Sequence, residues 1–348
     1  MQTHPFTRRR FLKAGLALAA APWLPAYATR PAPPGPQIMT VTGPIDPARL
    51  GVTLPHEHVL VDFVGADRVS KDRYDADEAF RVALPHLQRI KKLGCRSLVE
   101  CTPAFLGRDP ALLRRLSEAS GLQIITNTGY YSAVEGKFLP AHAYTETAEQ
   151  LAGRWLREWR DGIDGTGIRP GFLKISVDKA PLKDYNRKIV AAAALTHRES
   201  GLTIAAHTGD GAAALEEMAV LREHGVAAGA FIWVHAQNEA DAQVHREALR
   251  LGAWVSLDGL NAENGDEYVA RLTTLKQAGH LGKLLVSHDA GWYHVGEPGG
   301  GTYRPHDALF TGLVPALRKA GFSNRDVDRL LVVNPREAFG IRIQLSKP

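Results

Sequence analysis

Short apolar segments alternate with longer amphipathic segments along most of the chain. The short segments have the length of buried strands and are bounded by glycine, proline or polar residues. The longer segments repeat their apolar positions at the spacing of one helix face. The sequence therefore predicts eight strands, which are residues 52–60, 96–103, 123–130, 171–177, 202–208, 230–236, 253–259 and 283–289.

Two of the helical segments carry recognisable ends. Residues 75–94 open with acidic residues and close with lysines and a glycine, and residues 187–201 also end in a glycine. Eight strand–helix units in one domain predict an α/β protein with the fold of a (β/α)8 TIM barrel. A doubly wound open sheet is the alternative, but it would have a glycine-rich turn after the first strand, and the sequence has none there.

The first 28 residues follow a different pattern. Residues 7–13 are basic, a short apolar run follows, and residues 26–28 form a small-residue cleavage site, which is typical of an export signal. The run is shorter than the roughly 20 apolar residues of a membrane span, and its paired arginines resemble a twin-arginine signal. We predict a signal peptide over 1–28, a proline-rich linker over 29–43 and one barrel domain over 44–348. An N-terminal amphipathic anchor is the alternative.

Removal of that signal changes the net charge. The full chain carries a formal charge of +5, but the first 28 residues contain four basic residues and no acidic one. The mature chain is left near +1, close to neutral. Since no basic patch with interleaved aromatic residues is found either, we expect no nucleic-acid partner.

The two cysteines, Cys95 and Cys101, are expected to stay unpaired. If residues 96–103 form a strand, the two Cα atoms are about 20 Å apart, whereas bridged Cα atoms lie within about 7 Å. We therefore expect two buried thiols.

A histidine pair opens the barrel pattern. His56 and His58 lie two residues apart on the first predicted strand, so they share one face while Glu57 points to the other. Two imidazoles that converge on one point suit a metal ion. A single pair of this kind is a weak motif for a metal site. The alternative is that one histidine caps a loop and the other is a hydrogen-bonded polar residue at the end of the strand.

A barrel places functional side chains at the C-terminal ends of its strands. The potential ligands at those ends are His56, His58, Lys174, His207, His235 and Asp289. The histidines in or beside helices, for which solvent exposure is expected, are His86, His197, His224, His245 and His280. His288 precedes Asp289 and is expected on the opposite side of its strand.

From about residue 44 to residue 341, the chain resembles the phosphotriesterase family of the amidohydrolase superfamily, including its lactonase relatives. The matching segments are "LPHEHVL", "VECTPAFLGRDPALLRRLSEASGLQIITNTGYY", "GFLKISV", "AAHTGD", "WVHAQN", "VSHDAGW" and "VVNPREAFG". The resemblance implies a binuclear metal centre with His56, His58 and Asp289 on one ion, His207 and His235 on the other, and Lys174 bridging as N6-carboxylysine. Zinc is expected for this sulfur-free, histidine-rich donor set, and iron, cobalt or manganese would fit the same donors.

The resemblance also implies a reaction. Metal-activated water attacks a carbonyl or phosphoryl group, and Asp289 accepts the proton. We expect an exported hydrolase for an ester-type small molecule, with a lactone or carboxylic ester favoured over a phosphotriester. A phosphotriester hydrolase resembling an aryldialkylphosphatase is one alternative, and a metal-loaded binding protein without turnover is the other. A homodimer is a further expectation.

Two positions depart from the family pattern. Gly259 follows Asp258 where the family has a histidine or arginine, and Asn238 stands where the family has an aspartate. The outer proton relay is therefore expected to be absent, with Glu239 or Glu263 as candidate substitutes.

Aromatic residues near the strand ends predict an apolar substrate pocket. The candidates are Tyr130, Tyr131, Trp292 and Tyr293, which could instead pack the bases of the loops. Residues 291–305 contain three aromatic residues and a glycine run, as a mobile lid would. An apolar pocket suits a lactone or carboxylic ester.

The export signal can be tested directly. Replacing Arg8 and Arg9 by lysine should leave the protein in the cytoplasm as an uncleaved precursor, because the twin-arginine pathway reads the arginine pair. Cell fractionation with N-terminal sequencing of the periplasmic form checks both export and cleavage after Ala28. Normal export of the lysine variant would leave only a general secretory signal.

Overall fold

A computed structural model describes residues 36–341. The strands are β1 (Ile38–Thr40), β2 (Gly43–Ile45), β3 (Thr53–Glu57), β4 (Leu60–Val61), β5 (Ser97–Glu100), β6 (Gln123–Ile125), β7 (Asn127–Thr128), β8 (Phe172–Val177), β9 (Ile204–Thr208), β10 (Phe231–Val234), β11 (Trp254–Leu257), β12 (Leu284–Val286) and β13 (Tyr293–His294). The α-helices are α1 (Ala76–Lys92), α2 (Pro110–Ser120), α3 (Ala141–Thr145), α4 (Ala148–Asp161), α5 (Asp184–Ser200), α6 (Gly211–Glu223), α7 (Ala242–Leu251), α8 (Gly265–Gln277), α9 (Val314–Lys319), α10 (Asn324–Asp328) and α11 (Asn334–Phe339). π-Helical turns, Leu309–Leu313 and Arg329–Val333, precede α9 and α11.

The predicted (β/α)8 TIM barrel is confirmed. Parallel pairing runs through β3, β5 and β6, and then through β7, β8, β9, β10, β11 and β12. Only Thr126 separates β6 from β7, so these two strands occupy one predicted segment. The last and first strands meet where the backbone N–H of Asp289 donates to the carbonyl oxygen of His56 at 3.1 Å. Each of the eight predicted segments contains its strand.

Helix ends follow the chemistry of the sequence. Asp75 caps α1, since its carboxylate accepts the backbone N–H of Asp77 at 2.8 Å. Gly201 ends α5 in the left-handed conformation, with φ 72°, which a glycine adopts without steric cost. The residues of α1 that face the core recur at helical spacing, and they are Ala79, Ala83, Leu87 and Ile90.

The end of the predicted linker belongs to the folded domain. β1 pairs antiparallel with β2, and the N–H of Val41 donates to the carbonyl of Ile124 on β6 at 2.9 Å. Ile38 is fully buried in a small cluster with Ile125 and Phe339. The boundary at residue 43 is therefore wrong for residues 38–43, because their apolar side chains pack against the barrel. The predicted signal peptide lies outside the described residues.

The prediction for the two cysteines can also be checked. Cys95 and Cys101 are both buried and unpaired, as expected. Within residues 36–341, no helix is long and apolar enough to cross a membrane.

One carboxylic acid is buried between α6 and β9. Glu217 is fully buried, and its Oε2 accepts the Thr208 hydroxyl at 2.7 Å. Its Oε1 has no hydrogen-bond partner among the described residues. Burial raises the pKa of Glu217 from 4.5 to about 8, because the ionised form would lose its hydration. Glu217 is therefore a protonated acid at neutral pH.

This raised pKa predicts a pH-dependent stability. The unfolded chain releases the proton above pH 4.5 and the folded chain only near pH 8, so the folded state loses stability as pH rises through this window. Glu217→Gln cannot ionise and keeps an acceptor for Thr208. It should raise the free energy of unfolding by about 2 to 4 kcal/mol at pH 8, and by much less at pH 4.5.

Urea unfolding of both proteins at the two pH values measures the effect. Glu118→Gln, a change of the same chemistry at an exposed position of α2, is the control and should show no such pH dependence. An equal difference between Glu217→Gln and the unmodified protein at both pH values would show that Glu217 ionises normally.

Candidate metal centre

Four imidazole rings meet at the C-terminal mouth of the barrel. His56 lies in β3 and His58 just after it, His207 lies in β9, and His235 follows β10. The ring centroids are 5.4 Å apart for His56 and His58, 5.1 Å for His56 and His235, and 4.5 Å for His207 and His235. The histidines scattered along the sequence therefore form one continuous row.

Asp289, three residues beyond β12, completes one end of that row. Its Oδ1 lies 3.0 Å from Nε2 of His58 and 3.6 Å from Nε2 of His56. Although burial opposes ionisation, the adjacent histidines hold the pKa of the Asp289 carboxyl well below its usual range. Its backbone has the uncommon φ of 53°, a strained conformation typical of functional sites. These three side chains could hold one metal ion.

Lys174 lies in β8 beside the same row. Its side chain is buried, with 2% relative exposure, and no carboxylate of residues 36–341 lies within 4.0 Å of its ammonium. Burial and the charge of Lys174 lower the pKa of His56 to about 4. Burial, together with His235 and Lys174, holds the pKa of His207 well below 6.5. His56 and His207 are therefore neutral near pH 7, which is the form of an imidazole that binds metals.

Asp258, at the end of β11, orients two of the rings. Nδ1 of His56 donates to Oδ2 at 3.0 Å and Nδ1 of His235 donates to Oδ1 at 2.7 Å. These three groups also lie close enough to share an ion, but the distances to Nδ1 are those of hydrogen bonds. We therefore assign Asp258 as the partner that turns both Nε2 atoms toward the row. The sequence analysis missed this role.

His58 has an orienting partner of its own. Nδ1 of His58 donates to Oγ1 of Thr102 at 2.7 Å, and Thr102 donates in turn to Oε1 of Glu100 at 2.6 Å. All three groups are buried. These two hydrogen bonds fix the tautomer of His58, so that Nε2 is the nitrogen that faces Asp289.

Glu57 faces the opposite side of β3, as its place between the two histidines predicts. Its Oε1 accepts Nδ1 of His288 at 2.6 Å and the Ser287 hydroxyl at 2.7 Å, and its Oε2 accepts the backbone N–H of Ala290 at 3.0 Å. Burial raises the pKa of Glu57, but His288 and the other donors outweigh it and lower the value to about 2. His288 also points away from the row, as predicted. Because Glu57 binds groups on both sides of Asp289, it holds that carboxylate in place.

Gln237 occupies the space beside Gly259. Its Nε2 donates to Oδ1 of Asp258 at 3.2 Å, and its Oε1 accepts the Asp258 backbone N–H at 3.1 Å. A Cβ atom on Gly259 would lie 2.9 Å from that Nε2, so a larger residue at 259 would displace Gln237. The amide of Gln237 therefore fills the space that a side chain at residue 259 would need.

The two candidate substitutes for the relay have other surroundings. Glu239 accepts the backbone N–H of Gly211 at the start of α6 at 3.1 Å, and also that of Asp241 at 2.8 Å. Glu263 and Asn238 are exposed. Glu239 thus acts as a helix cap in this structure.

The four predicted pocket residues separate into two pairs. The Tyr131 ring lies 5.0 Å from that of His207, and the Trp292 ring lies 5.5 Å from that of His58. Tyr130 is instead buried with its hydroxyl 3.1 Å from Nε2 of His142, and the buried Tyr293 donates to Glu78 at 2.6 Å. Tyr131 and Trp292 lie at the mouth, whereas Tyr130 and Tyr293 pack the bases of their loops.

Two aromatic residues at the mouth were missed. Phe63 lies 5.4 Å from Trp292 and 6.0 Å from Phe138, and Phe138 lies 5.7 Å from Tyr131, measured between ring centroids. Phe63 is 37% exposed. An aromatic wall thus runs along one side of the mouth.

The expected exposure of the helical histidines is wrong for His245. This residue is buried, stacks on Trp233 with ring centroids 5.1 Å apart, and donates from Nε2 to the carbonyl of Ala236 at 2.7 Å. His86, His197, His224 and His280 are half-buried. Helix position alone could not distinguish a face that packs on the barrel from one that meets solvent.

A cavity of about 1080 Å³ lies at the opposite end of the barrel. It is lined by residues at the N-terminal ends of strands, including Thr203, Ala230 and Trp254. None of the candidate ligands lines it. Since barrel enzymes act at the C-terminal mouth, the histidine row is the better candidate site.

Sequence and structural similarity assign the chain to a known family. The profile of the phosphotriesterase family matches residues 36–339. The phosphotriesterase homology protein of Escherichia coli (strain K12) is 30% identical over 294 residues, covering 83% of this chain and 98% of that protein. The aryldialkylphosphatase of Saccharolobus solfataricus is 25% identical over 313 residues, covering 85% of this chain and 96% of that protein. A crystal structure of a mutant PTE-like lactonase of Deinococcus radiodurans has a TM-score of 0.76 at 29% identity and covers 87% of this chain and 100% of that one. The chain belongs to the phosphotriesterase family, a family of binuclear metal hydrolases.

Proposed function

We propose that this hydrolase cleaves an ester-type small molecule outside the cytoplasm, in the periplasm or beyond, and favours a lactone or carboxylic ester over a phosphotriester. The observation that carries the proposal is the row of four histidines that ends at the carboxylate of Asp289. Hydrolysis by activated water requires a proton acceptor that is held beside side chains able to bind metal ions.

The donor set fits two divalent ions. His56, His58 and Asp289 would hold one ion, and His207 and His235 the other, with zinc expected and iron, cobalt or manganese compatible with the same donors. When bound, two such ions activate water and polarise the oxygen of the scissile group. Asp258 and Thr102 bind the Nδ1 atoms of His56, His58 and His235. The Nε2 atoms of these three histidines are therefore the ones directed toward the ions.

The environment of Lys174 supports its proposed role as N6-carboxylysine. A protonated amine buried without a counterion is unfavourable, and Lys174 has no carboxylate within 4.0 Å among the described residues. Addition of carbon dioxide to the neutral amine, with loss of one proton to solvent, would convert Lys174 to an anion with two oxygens. That group would help to hold the two divalent ions and offset part of their charge.

Asp289 is the proposed catalytic base. Its carboxylate is ionised and directed at the mouth by the hydrogen bonds of Glu57 to the flanking residues His288 and Ala290. It can therefore accept a proton from attacking water without moving its backbone. Because Gln237 cannot carry a proton outward, a departing alcohol must leave with little assistance beyond Asp289, which favours substrates with good leaving groups.

The aromatic wall supports the substrate class. Phe63 and Trp292 present apolar surface beside the donors, and the buried Phe138 packs behind them. This surface suits the carbon skeleton of a lactone or carboxylic ester. The names of the relatives fit ester chemistry of both kinds, since one is an aryldialkylphosphatase and another a PTE-like lactonase. The proposed partners are thus a small-molecule ester or lactone and, through the signal, the twin-arginine machinery.

Turnover of a panel of aryl esters, lactones and phosphotriesters tests the function. The zinc- or cobalt-loaded protein should hydrolyse esters or lactones at higher kcat/KM than phosphotriesters. Asp289→Asn should lower kcat by about 100-fold or more, since general base assistance is worth that much. Asp266→Asn, on the exposed start of α8, is the control. A metal-loaded protein that binds these compounds without turning over any of them would be the non-catalytic binding protein.

Lys174→Ala tests the bridge. The variant should lose metal and activity, and short carboxylic acids added in solution should restore part of both, because they can occupy the place of the carbamate. Metal content by mass spectrometry and activity are measured with and without added propionate. A Lys174→Ala variant that keeps two ions and full turnover would assign Lys174 a structural role only.

A further inference from the structure

Arg304 is an exposed arginine that is held at the mouth of the barrel. Its backbone pairs with Gly291, with N–H to carbonyl distances of 2.8 and 3.0 Å in the two directions. Its Nη2 donates to the backbone carbonyl of Asp289 at 2.7 Å. The guanidinium carbon also lies 4.0 Å from the ring centroid of Trp292. Backbone, hydrogen bond and stacking together fix a side chain that is usually mobile on a surface.

These contacts place the guanidinium beside the donor row. Its Nη2 binds the backbone of Asp289, the proposed base, and the Trp292 ring on which it stacks lies 5.5 Å from the His58 ring. A group bound on the guanidinium would therefore belong to a molecule that also reaches Asp289.

The charge of Arg304 is not compensated by the protein. Among residues 36–341, no carboxylate lies within 4.0 Å of it, and its only side-chain hydrogen bond is the one to Asp289. A guanidinium has five N–H donors, arranged to bind a carboxylate through two parallel hydrogen bonds. Most of these donors remain available at a fixed position.

We propose that Arg304 binds a carboxylate on the substrate, so that the natural substrate is an ester or lactone that carries a second, anionic carboxyl group. This inference rests on the proposed ester hydrolysis and narrows it to a substrate class. The aromatic wall contacts the carbon skeleton between the two ends, while the reacting ester faces Asp289. Stacking on Trp292 leaves the guanidinium pre-organised, so little rotational freedom is lost when the carboxylate binds.

Matched ester pairs test the proposal. The mono(4-nitrophenyl) esters of succinic, glutaric and adipic acid are compared with analogues in which the free carboxyl is a primary amide. At the best chain length, the zinc-loaded enzyme should prefer the acid roughly tenfold in kcat/KM, mainly through KM, since hydrogen bonds to charged groups are strong. Arg304→Met should remove this preference, and its kcat/KM for the amide ester should stay within about twofold of the wild-type value.

Two control variants separate charge from structure. Arg304→Lys keeps the charge without the fork and should retain part of the preference, whereas Arg318→Met removes an exposed arginine from α9 and should change nothing. If Arg304→Met lowers kcat/KM equally for the acid ester and the amide ester, Arg304 only supports the loop that carries Asp289. A wild-type enzyme without preference at any of the three chain lengths would also overturn the proposal.

A binding measurement keeps the two proposals distinguishable. Calorimetry compares N-phenylglutaramic acid with its primary amide on the metal-loaded wild type and on Arg304→Met, since anilides resist hydrolysis. Tighter binding of the acid by the wild type alone supports the carboxylate site, and equal binding overturns it. If none of the 4-nitrophenyl esters is hydrolysed, the proposed ester hydrolysis fails, and the calorimetric comparison still decides the role of Arg304.

Discussion

The closure of the barrel between its last and first strands positions the whole candidate site. The N–H of Asp289 donates to the carbonyl of His56, and the buried Glu57 binds the backbone groups on both sides of Asp289. The side chains of His56, in β3, and of His58, just after β3, face inward, whereas Glu57 between them faces the opposite side. The contacts that close the fold are therefore the contacts that bring Asp289 within 3.0 Å of Nε2 of His58. Loss of the contact between the first and last strands would separate metal-binding side chains that come from opposite ends of the domain.

Burial then sets the charge state of those donors. Imidazoles that are removed from water beside Lys174 lose their protons readily, and this leaves His56 and His207 neutral. The carboxylates of Asp258 and Glu57 stay ionised despite their burial, because histidines and backbone N–H groups bind them. The mouth thus combines neutral nitrogen donors with fixed negative charge, which is an environment suited to cations.

Strand periodicity allowed much of this arrangement to be predicted from the sequence. It gave the eight strands, the shared face of His56 and His58 and the outward direction of Glu57. The same period could have separated Tyr130 from Tyr131, because neighbouring residues in an extended chain point to opposite sides. It could not have separated Trp292 from Tyr293, since Trp292 has a φ of 74° and is not extended. What could not be predicted depends on side chains from distant segments that meet in space. Asp258 between two histidines, Gln237 beside Gly259, and Phe63 against Trp292 are contacts of this kind.

In the hydrolysis we propose, the amide of Gln237 beside Gly259 changes where selectivity can arise. Gln237 binds Asp258 through both ends of its side chain, but it neither takes up nor releases a proton near neutral pH. The protein can then supply little proton transfer to a reluctant leaving group beyond what Asp289 returns. Discrimination must come instead from how the rest of the substrate is held, through the apolar wall around Phe63 and the fixed guanidinium of Arg304. In the hydrolysis we propose, binding energy gained at that rim, away from the scissile bond, would orient the ester against Asp289 and so substitute position for proton transfer.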